Sequence, residues 1–352
     1  MAVEIPVHFK EINLLSVVFS FRNEADSLPE LIRRVRNVLN SEIKQHHIHS
    51  YELIFVDDSS TDNSWDIIQS AALDHNDIKI IRTSRRFGPS PSPCVLAGME
   101  HASGDVLVYM DADLQDPPEL IPELIQAWRS DPEVEVVHTV RRSRKGESKL
   151  KLMITKLGYQ ILHKVTHFKL PKEAGDFKLL SRRVVNHLIQ LREKKPFLRG
   201  LVCWVGFKSA FVTYDRDARF TGDTKFPVLS LNVINNFLES ALISFSSTPL
   251  RLSMLLGFLT IMVGMGLLLY VIFAKIQGTA IPGWAGIMIT VIFLNSIQLL
   301  CIGIMGLYVS SIFEETKNRP NYIIEKKFGF SDQITIHCKQ EKPSAIAVRF
   351  DA

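Results

Sequence analysis

Val106-Leu-Val-Tyr-Met-Asp-Ala-Asp-Leu-Gln-Asp-Pro-Pro118 is the stretch on which the reading of this chain turns. Its first five residues are mostly apolar and read as a buried strand. Asp111, Asp113 and Gln115 follow at once, and the Pro-Pro pair can open a helix but not continue a strand. Residues two apart at a strand end project to the same side, so two carboxylates and an amide oxygen can converge there. Oxygen donors in that number suit Mg²⁺ or Mn²⁺, with positions left for water and phosphate. Bare carboxylates this close repel one another, and a divalent cation removes the repulsion. The bland alternative is a strand ending in a solvated acidic turn; the preceding strand and Gln115 favour the metal site.

Outward from this stretch the chain alternates. Leu14 to Phe19, Tyr51 to Val56, Ile78 to Ile81 and Glu133 to Val140 read as further strands. Between the first two, Ser27-Leu-Pro-Glu30 has capping-box spacing, and Leu28, Leu31, Val35, Val38 and Leu39 give a helix its apolar face. Thr61 or Asp62 is placed to cap the next helix. Strands alternating with helices predict a doubly wound, mainly parallel α/β sheet. Ligands in such sheets sit beyond the carboxyl ends of the strands, where Asn23/Glu24, Asp57/Asp58 and Asp111/Asp113 all fall. Carboxylates at three strand ends predict a nucleotide and metal crevice. No Gly-x-Gly-x-x-Gly follows the first strand and no Gly-x-x-x-x-Gly-Lys-Ser/Thr occurs, which disfavours a dinucleotide fold and a P-loop.

The net charge of +4 in 352 residues is too small to argue for nucleic acid. Cys94, Cys203, Cys301 and Cys338 lack metal-ligand spacing and read as free thiols. Met1 to Asn13 is polar and does not read as a cleavable signal peptide. After Arg141-Arg-Ser-Arg-Lys145, Leu150 to Phe168 reads as a basic amphipathic helix suited to a membrane surface, and Ile234 to Phe245 as a second. Glu173 to Lys178, Phe197 to Gly200 and Arg219 to Lys225 are polar clusters in a region read as turn-rich. Leu252 to Ala274 and Trp284 to Phe313 are uncharged but for their flanks, each long enough to span a bilayer core of about 30 Å. Their glycines, Gly257, Gly264, Gly266, Gly303 and Gly306, would allow close helix approach. Arg251 precedes the spans and Lys317, Arg319, Lys326 and Lys327 follow, against Lys275 alone between them, so both termini are expected in the cytoplasm. The expected divisions are a catalytic domain over 1–228, a juxtamembrane helix over 229–250, two membrane spans over 251–313 and a tail over 314–352. The tail shows only a strand-like start, Tyr322-Ile-Ile.

Ser16 to Glu24, Phe55 to Asp62, Met110 to Pro122, Ala174 to Leu179 and Phe197 to Leu201 resemble family 2 glycosyltransferases of the polyprenyl-phosphate type, such as dolichyl-phosphate mannose synthases and bactoprenyl-phosphate glucosyltransferases. The resemblance runs from about Leu14 to the end of the second span. It implies a GT-A fold, a divalent cation (Mg²⁺ or Mn²⁺), a nucleotide-sugar donor, a polyprenyl phosphate acceptor in the inner membrane, and inversion at the anomeric carbon. It further implies metal contact by Asp111, Asp113 and Gln115, and donor contact by Ser20, Arg22, Glu24, Asp57, Asp58 and Asp111. Arg141, Lys151, Thr155, Lys178, Arg199, Arg219 and Lys225 fall to the acceptor phosphate or other phosphates, and Asp176 to the catalytic set, where it orients a basic neighbour or the acceptor. A homo-oligomer on a lipid bilayer is expected.

UDP-glucose is the expected donor; GDP-mannose, UDP-GlcNAc or a UDP-aminoarabinose derivative are the alternatives, and a catalytically silent membrane scaffold is the alternative of another class. The chain departs from the family pattern at four places. Ser59 stands where Gly is usual, Ser20 where Pro is frequent and Lys178 where Arg is usual. Phe87-Gly-Pro-Ser-Pro-Ser-Pro93 replaces a run ordinarily richer in Gln and Ala.

Overall fold

The computed structural model describes residues 10–87, 90–141, 171, 174–191, 193–215, 248–277 and 283–330. Both amphipathic helices expected at 150–168 and 234–245 lie outside the described residues, as do Lys151, Thr155, Arg219 and Lys225.

The expected alternation is present: β1 (Leu14–Phe21), α1 (Leu28–Lys44), β2 (Ser50–Asp57), α2 (Ser64–Asp74), β3 (Ile78–Thr83), α3 (Ser92–His101), β4 (Val106–Asp111), α4 (Ile121–Arg129) and β5 (Val136–Arg141). A short 3₁₀ turn at Pro118–Leu120 leads into α4, as the Pro-Pro pair demands. Next come β6 (Ala174–Ser181), α5 (Arg182–Gln190), α6 (Leu198–Trp204), β7 (Ser209–Tyr214), α7 (Thr248–Ile276), α8 (Trp284–Thr316) and β8 (Ile324–Phe328). Among the described residues these strands form one sheet in the order β7-β5-β6-β4-β1-β2-β3-β8.

The central strands β3-β2-β1-β4 are parallel. Their near-continuous apolar runs are buried on both faces. Leu28, Leu31, Val35 and Leu39 of α1 pack with α2 and α4 on one face, while α3, α5 and α6 cover the other. Each of those α1 side chains is fully buried, a contribution of about 1.5–3 kcal/mol apiece against exposure. The fold is therefore the expected α/β layering with helices on both sides.

Three expectations fail in detail. Gly175-Asp-Phe-Lys178 is not in a turn-rich region. It lies in β6, an antiparallel strand inserted between β4 and β5 with Tyr109 opposite Lys178, so the sheet is mixed. The capping box at Ser27 does not form, because the Ser27 hydroxyl donates to Glu24 instead, to its carbonyl at 3.1 Å and its carboxylate at 3.2 Å. Gly257, Gly264, Gly266, Gly303 and Gly306 of the two long apolar helices face open space among the described residues. The helices meet elsewhere, with the Cys301 thiol donating to the Ser253 carbonyl at 3.3 Å.

α7 and α8 are long and apolar enough to cross a membrane and almost wholly exposed along their apolar windows. Beyond them the chain returns to the sheet: β8 pairs antiparallel with β3, and the Ser84 amide donates to the Ile323 carbonyl at 2.9 Å. The Lys194 amide donates to the Glu315 carboxylate at 2.8 Å, which ties the end of α8 to the loop before α6.

Candidate active site

Parallel register brings the carboxyl ends of β1, β2 and β4 level. Phe21 lies opposite Asp57, and Ser20 opposite Asp111. The Ser20 hydroxyl donates to Asp111 at 3.3 Å. On the β1–β2 side the loops are stitched together. Asn23, at φ +53°, accepts from the Thr61 amide at 2.8 Å, and the Ser60 amide donates to Asp57 at 2.8 Å. Arg22 donates to the carbonyls of Asp58 (2.6 Å) and Ser59 (3.0 Å). These bonds floor the pocket; the second helix begins after Asn63, and the Asp62 carboxylate accepts from the amide of Ser64, its first residue, at 3.1 Å.

Asp57 is fully buried, and Arg82, 3.5 Å away, is the cation beside it. Burial pushes its carboxyl up against the help of Ser60 and Arg82. Burial likewise raises Asp58, outweighing Arg22 and Arg86, whose guanidinium lies 3.8 Å off. Each carboxylate would gain from a hydrogen-bond donor arriving with a ligand. Arg82 and Arg86 were not foreseen as site residues, although the run Arg82, Arg85, Arg86 directly after the third strand was a signal for them. Ser59 sits at φ +54°, the left-handed region that explains why glycine is usual there.

One step further along the sheet, two residues beyond the paired Tyr109 and Lys178, Asp111 and Asp176 come together. Burial, then repulsion by Asp176, Asp113 and Asp116, drives the Asp111 carboxyl strongly upward. Gln115 and Asp113 follow on the same loop, where the Gln115 amide donates to Asp113 at 3.2 Å and Leu114 takes φ +57°. Among the described residues no three carboxylate, imidazole or thiol groups form a complete metal cage. The donor set nevertheless fits a hard cation shared with a ligand's oxygens, because the crowded carboxylates are those that positive charge would relieve.

Asp176 is gripped by Arg199, with Nε 2.6 Å from one oxygen and Nη2 on the other. Burial opposes ionisation, but Arg199, aided by Lys178 and Arg141, holds the carboxyl well below the usual range. Asp176 and Arg199 thus form a bidentate ion pair between β6 and α6. Lys178 lies two residues along β6 from Asp176. It is fully buried in β6, its ammonium 3.3 Å from the Tyr109 hydroxyl, and burial lowers its pKa to about 8 despite Asp176. Its charge favours the ionised form of the neighbouring Asp176. His138, opposite Lys178 on β5, is also buried and pushed down to about 3 by burial and by that lysine.

Arg141 ends β5 and is the one described acceptor-side cation beyond Arg199 and Lys178. Its guanidinium lies 3.7 Å from Asp116 and 3.2 Å from the Tyr214 hydroxyl. Burial disfavours its charge, and Asp116 and Tyr214 more than restore it. Glu24 is placed at the rim, its amide donating to Ser64 at 2.9 Å. The structure therefore gathers Ser20, Arg22, Asp57 and Asp58 on one side, Asp111, Asp113 and Gln115 in the middle, and Asp176, Arg199 and Arg141 beyond. Asp116 and Tyr214 were missed. Asp116 lay in the quoted acidic string, whereas nothing in sequence marked Tyr214. A cavity of about 860 Å³ between α1 and α4 is no part of this crevice; its two carboxylates, Glu42 and Glu119, are taken by His47 at 2.9 Å and Arg34 at 2.5 Å.

Residues 16–189 match the description Glycosyl transferase family 2. The chain is 37% identical over 319 residues to the glycosyltransferase YkcC of Bacillus subtilis, covering 90% of this chain and 95% of that one. It is 33% identical to the prophage bactoprenol glucosyl transferase homolog of Escherichia coli, covering 89% and 98% respectively. A solved mannosyltransferase from Pyrobaculum calidifontis, in complex with GDP-Man and Mn²⁺, is 15% identical with a TM-score of 0.42, covering 88% of this chain and 87% of that one.

Proposed function

Because the chain belongs to glycosyl transferase family 2, we propose that it moves a sugar from a nucleotide diphosphate donor to a membrane polyprenyl phosphate, with inversion. Glucose from UDP-glucose is the sugar we favour, supported by the bactoprenol glucosyl transferase naming of the E. coli relative. The observation that carries the reading is the ordering of charge along the crevice. A pocket with two raised carboxylates gives way to a crowd of acids, and then to arginines. A nucleoside diphosphate laid across it would put its base and ribose at Asp57 and Asp58, its diphosphate at Asp111, Asp113 and Gln115, and the acceptor anion at the arginines.

The cation that Asp111, Asp113 and Gln115 would hold supplies charge neutralisation for the departing diphosphate. The chain's own residues do the rest. Arg22 braces the pocket floor through two carbonyls. Arg141 and Arg199 allow one anion to approach another. The acceptor oxygen forms a bond to the anomeric carbon as that carbon's bond to the diphosphate oxygen breaks. A phosphate monoester has a second pKa near 6, so the attacking oxygen already carries charge near neutrality. No side chain needs to remove a proton, and the capture of both Asp176 oxygens by Arg199 suits that reading.

With α7 and α8 taken as two membrane spans, the pairing of β8 with β3 requires the catalytic domain and β8 to share one membrane side. The basic residues flanking the spans make that side the cytoplasmic one in our reading. The deciding experiment incubates the full chain with undecaprenyl phosphate and a panel of UDP-glucose, UDP-GlcNAc and GDP-mannose, with and without chelator. We expect organic-extractable label from UDP-glucose, abolished by chelator and by Asp113→Asn. No transfer to lipid from any donor overturns the function, and full transfer in excess chelator overturns the metal assignment.

A further inference from the structure

We propose that Tyr214 is a positioning residue for the acceptor site, holding the Arg141 guanidinium in place together with Asp116 over the gap left by Gly175. The inference rests on the reading that Arg141 receives the acceptor phosphate. Tyr214 closes β7 and lies opposite Arg141 in the parallel β5–β7 ladder, so the backbone register alone brings the two together. The phenol oxygen accepts from Arg141 Nε at 3.2 Å and donates to Asp116 Oδ1. Asp116 Oδ1 is in turn 3.7 Å from Arg141 Nη2, which closes a three-membered ring of charge-assisted contacts. Tyr214 is 4% exposed and Asp116 1%. Neither is open to serve as a ligand group, whereas 14% of the Arg141 side chain remains open.

The contacts account for Nε and approach Nη2. A guanidinium has five N–H donors in a fixed fork, so among the described residues one edge stays available while the other is held. Gly175 on the neighbouring strand leaves room beside the pair. A Cβ there would come within 3.3 Å of Arg141 Nη2 and 3.5 Å of the Tyr214 hydroxyl. Asp116 also directly follows Gln115, so the same ring joins the acceptor arginine to the loop read as holding the cation. A lock between strands with no role in binding would make the same contacts, and kinetics separates the two.

The test uses full-length protein with undecaprenyl phosphate and UDP-glucose, comparing Tyr214→Phe, Gly175→Ala and Arg141→Ala. Tyr214→Phe keeps the ring and removes only the hydroxyl. We expect the acceptor KM to rise about tenfold, with donor KM and kcat within about twofold of wild type and the melting temperature nearly unchanged. Gly175→Ala crowds the guanidinium without deleting a polar group, and is expected to raise the acceptor KM selectively even if the phenol variant folds poorly. An acceptor KM that rises in Arg141→Ala but is unmoved in both other variants overturns the role of Tyr214 and leaves the reading of Arg141 standing. If Arg141→Ala itself spares the acceptor KM, that reading falls and this inference with it. An equal rise in both KM values with a lower melting temperature marks a strand lock only, and also overturns it.

Discussion

Replacing Arg199 by Ala would leave the Asp176 carboxyl beside Asp111 with its bidentate partner gone. Removing one member of a buried pair costs about 3–5 kcal/mol. Here the side chains keep 22% (Asp176) and 32% (Arg199) exposure, so solvent recovers part of the loss and about 2–3 kcal/mol is the expected figure. For a domain of this size that lowers the melting temperature by roughly 5–10 °C. Trp65 and Trp128 are both buried in the sheet's helical layers, so intrinsic fluorescence of the full chain in detergent at a fixed scan rate reads the transition. The pH dependence has a definite sign. In the wild type the folded pKa of Asp176 lies below its unfolded value, so its contribution is complete above about pH 4 and is lost as pH falls through the folded pKa. In the variant, burial and Asp111 raise the folded pKa instead, so stability declines as pH climbs from about 4 toward it. The gap between the two proteins should be wide at about pH 7 and shrink toward about pH 4, and Asp176→Asn added to Arg199→Ala should recover more than half of it. A loss under about 2 °C, a gap flat with pH, or additive single changes would refute the argument.

Other outcomes follow from neighbouring residues. Lys178→Met should abolish a rise in wild-type stability between about pH 8 and 10.4, because over that span the unfolded chain binds the proton that the buried ammonium sheds; identical pH slopes in the two proteins would contradict this. Ser59→Gly should raise stability by up to about 1 kcal/mol by relieving φ +54°, checked by the same melting assay; a fall would mean the Ser59 side chain outweighs the backbone cost. Reporters fused at Met1 and Ala352 should both be active in the cytoplasm, and a reporter active only outside at either end contradicts the orientation.

What was legible from sequence was whatever rests on local periodicity. The parallel strands are apolar runs closed by acids, so β1, β2 and β4 and the carboxylates at their ends could be read directly. The two long apolar helices declared themselves by length and composition. β6 did not, because Asp176 and Lys178 look like surface residues until Arg199 and Tyr109 are seen beside them; a buried polar strand is recognised by its partners, which lie elsewhere in the chain. The same reason hid Tyr214, whose role comes from its register with Arg141. The Ser27 expectation failed because a hydroxyl has competing acceptors, and the carbonyl and carboxylate of Glu24 were nearer at hand.

The pairing of β8 with β3 also bears on the order in which the protein is made. β3 ends at Thr83 and its outer partner begins at Ile324, after both membrane helices. At about 5–20 residues per second, the ribosome needs roughly 12–50 s to supply that partner. Throughout the interval a strand with Ile80 and Ile81 at its centre presents an unpaired edge, the feature most prone to pairing with the wrong chain. A stall between the two long apolar helices would therefore leave the nascent chain with that edge still open.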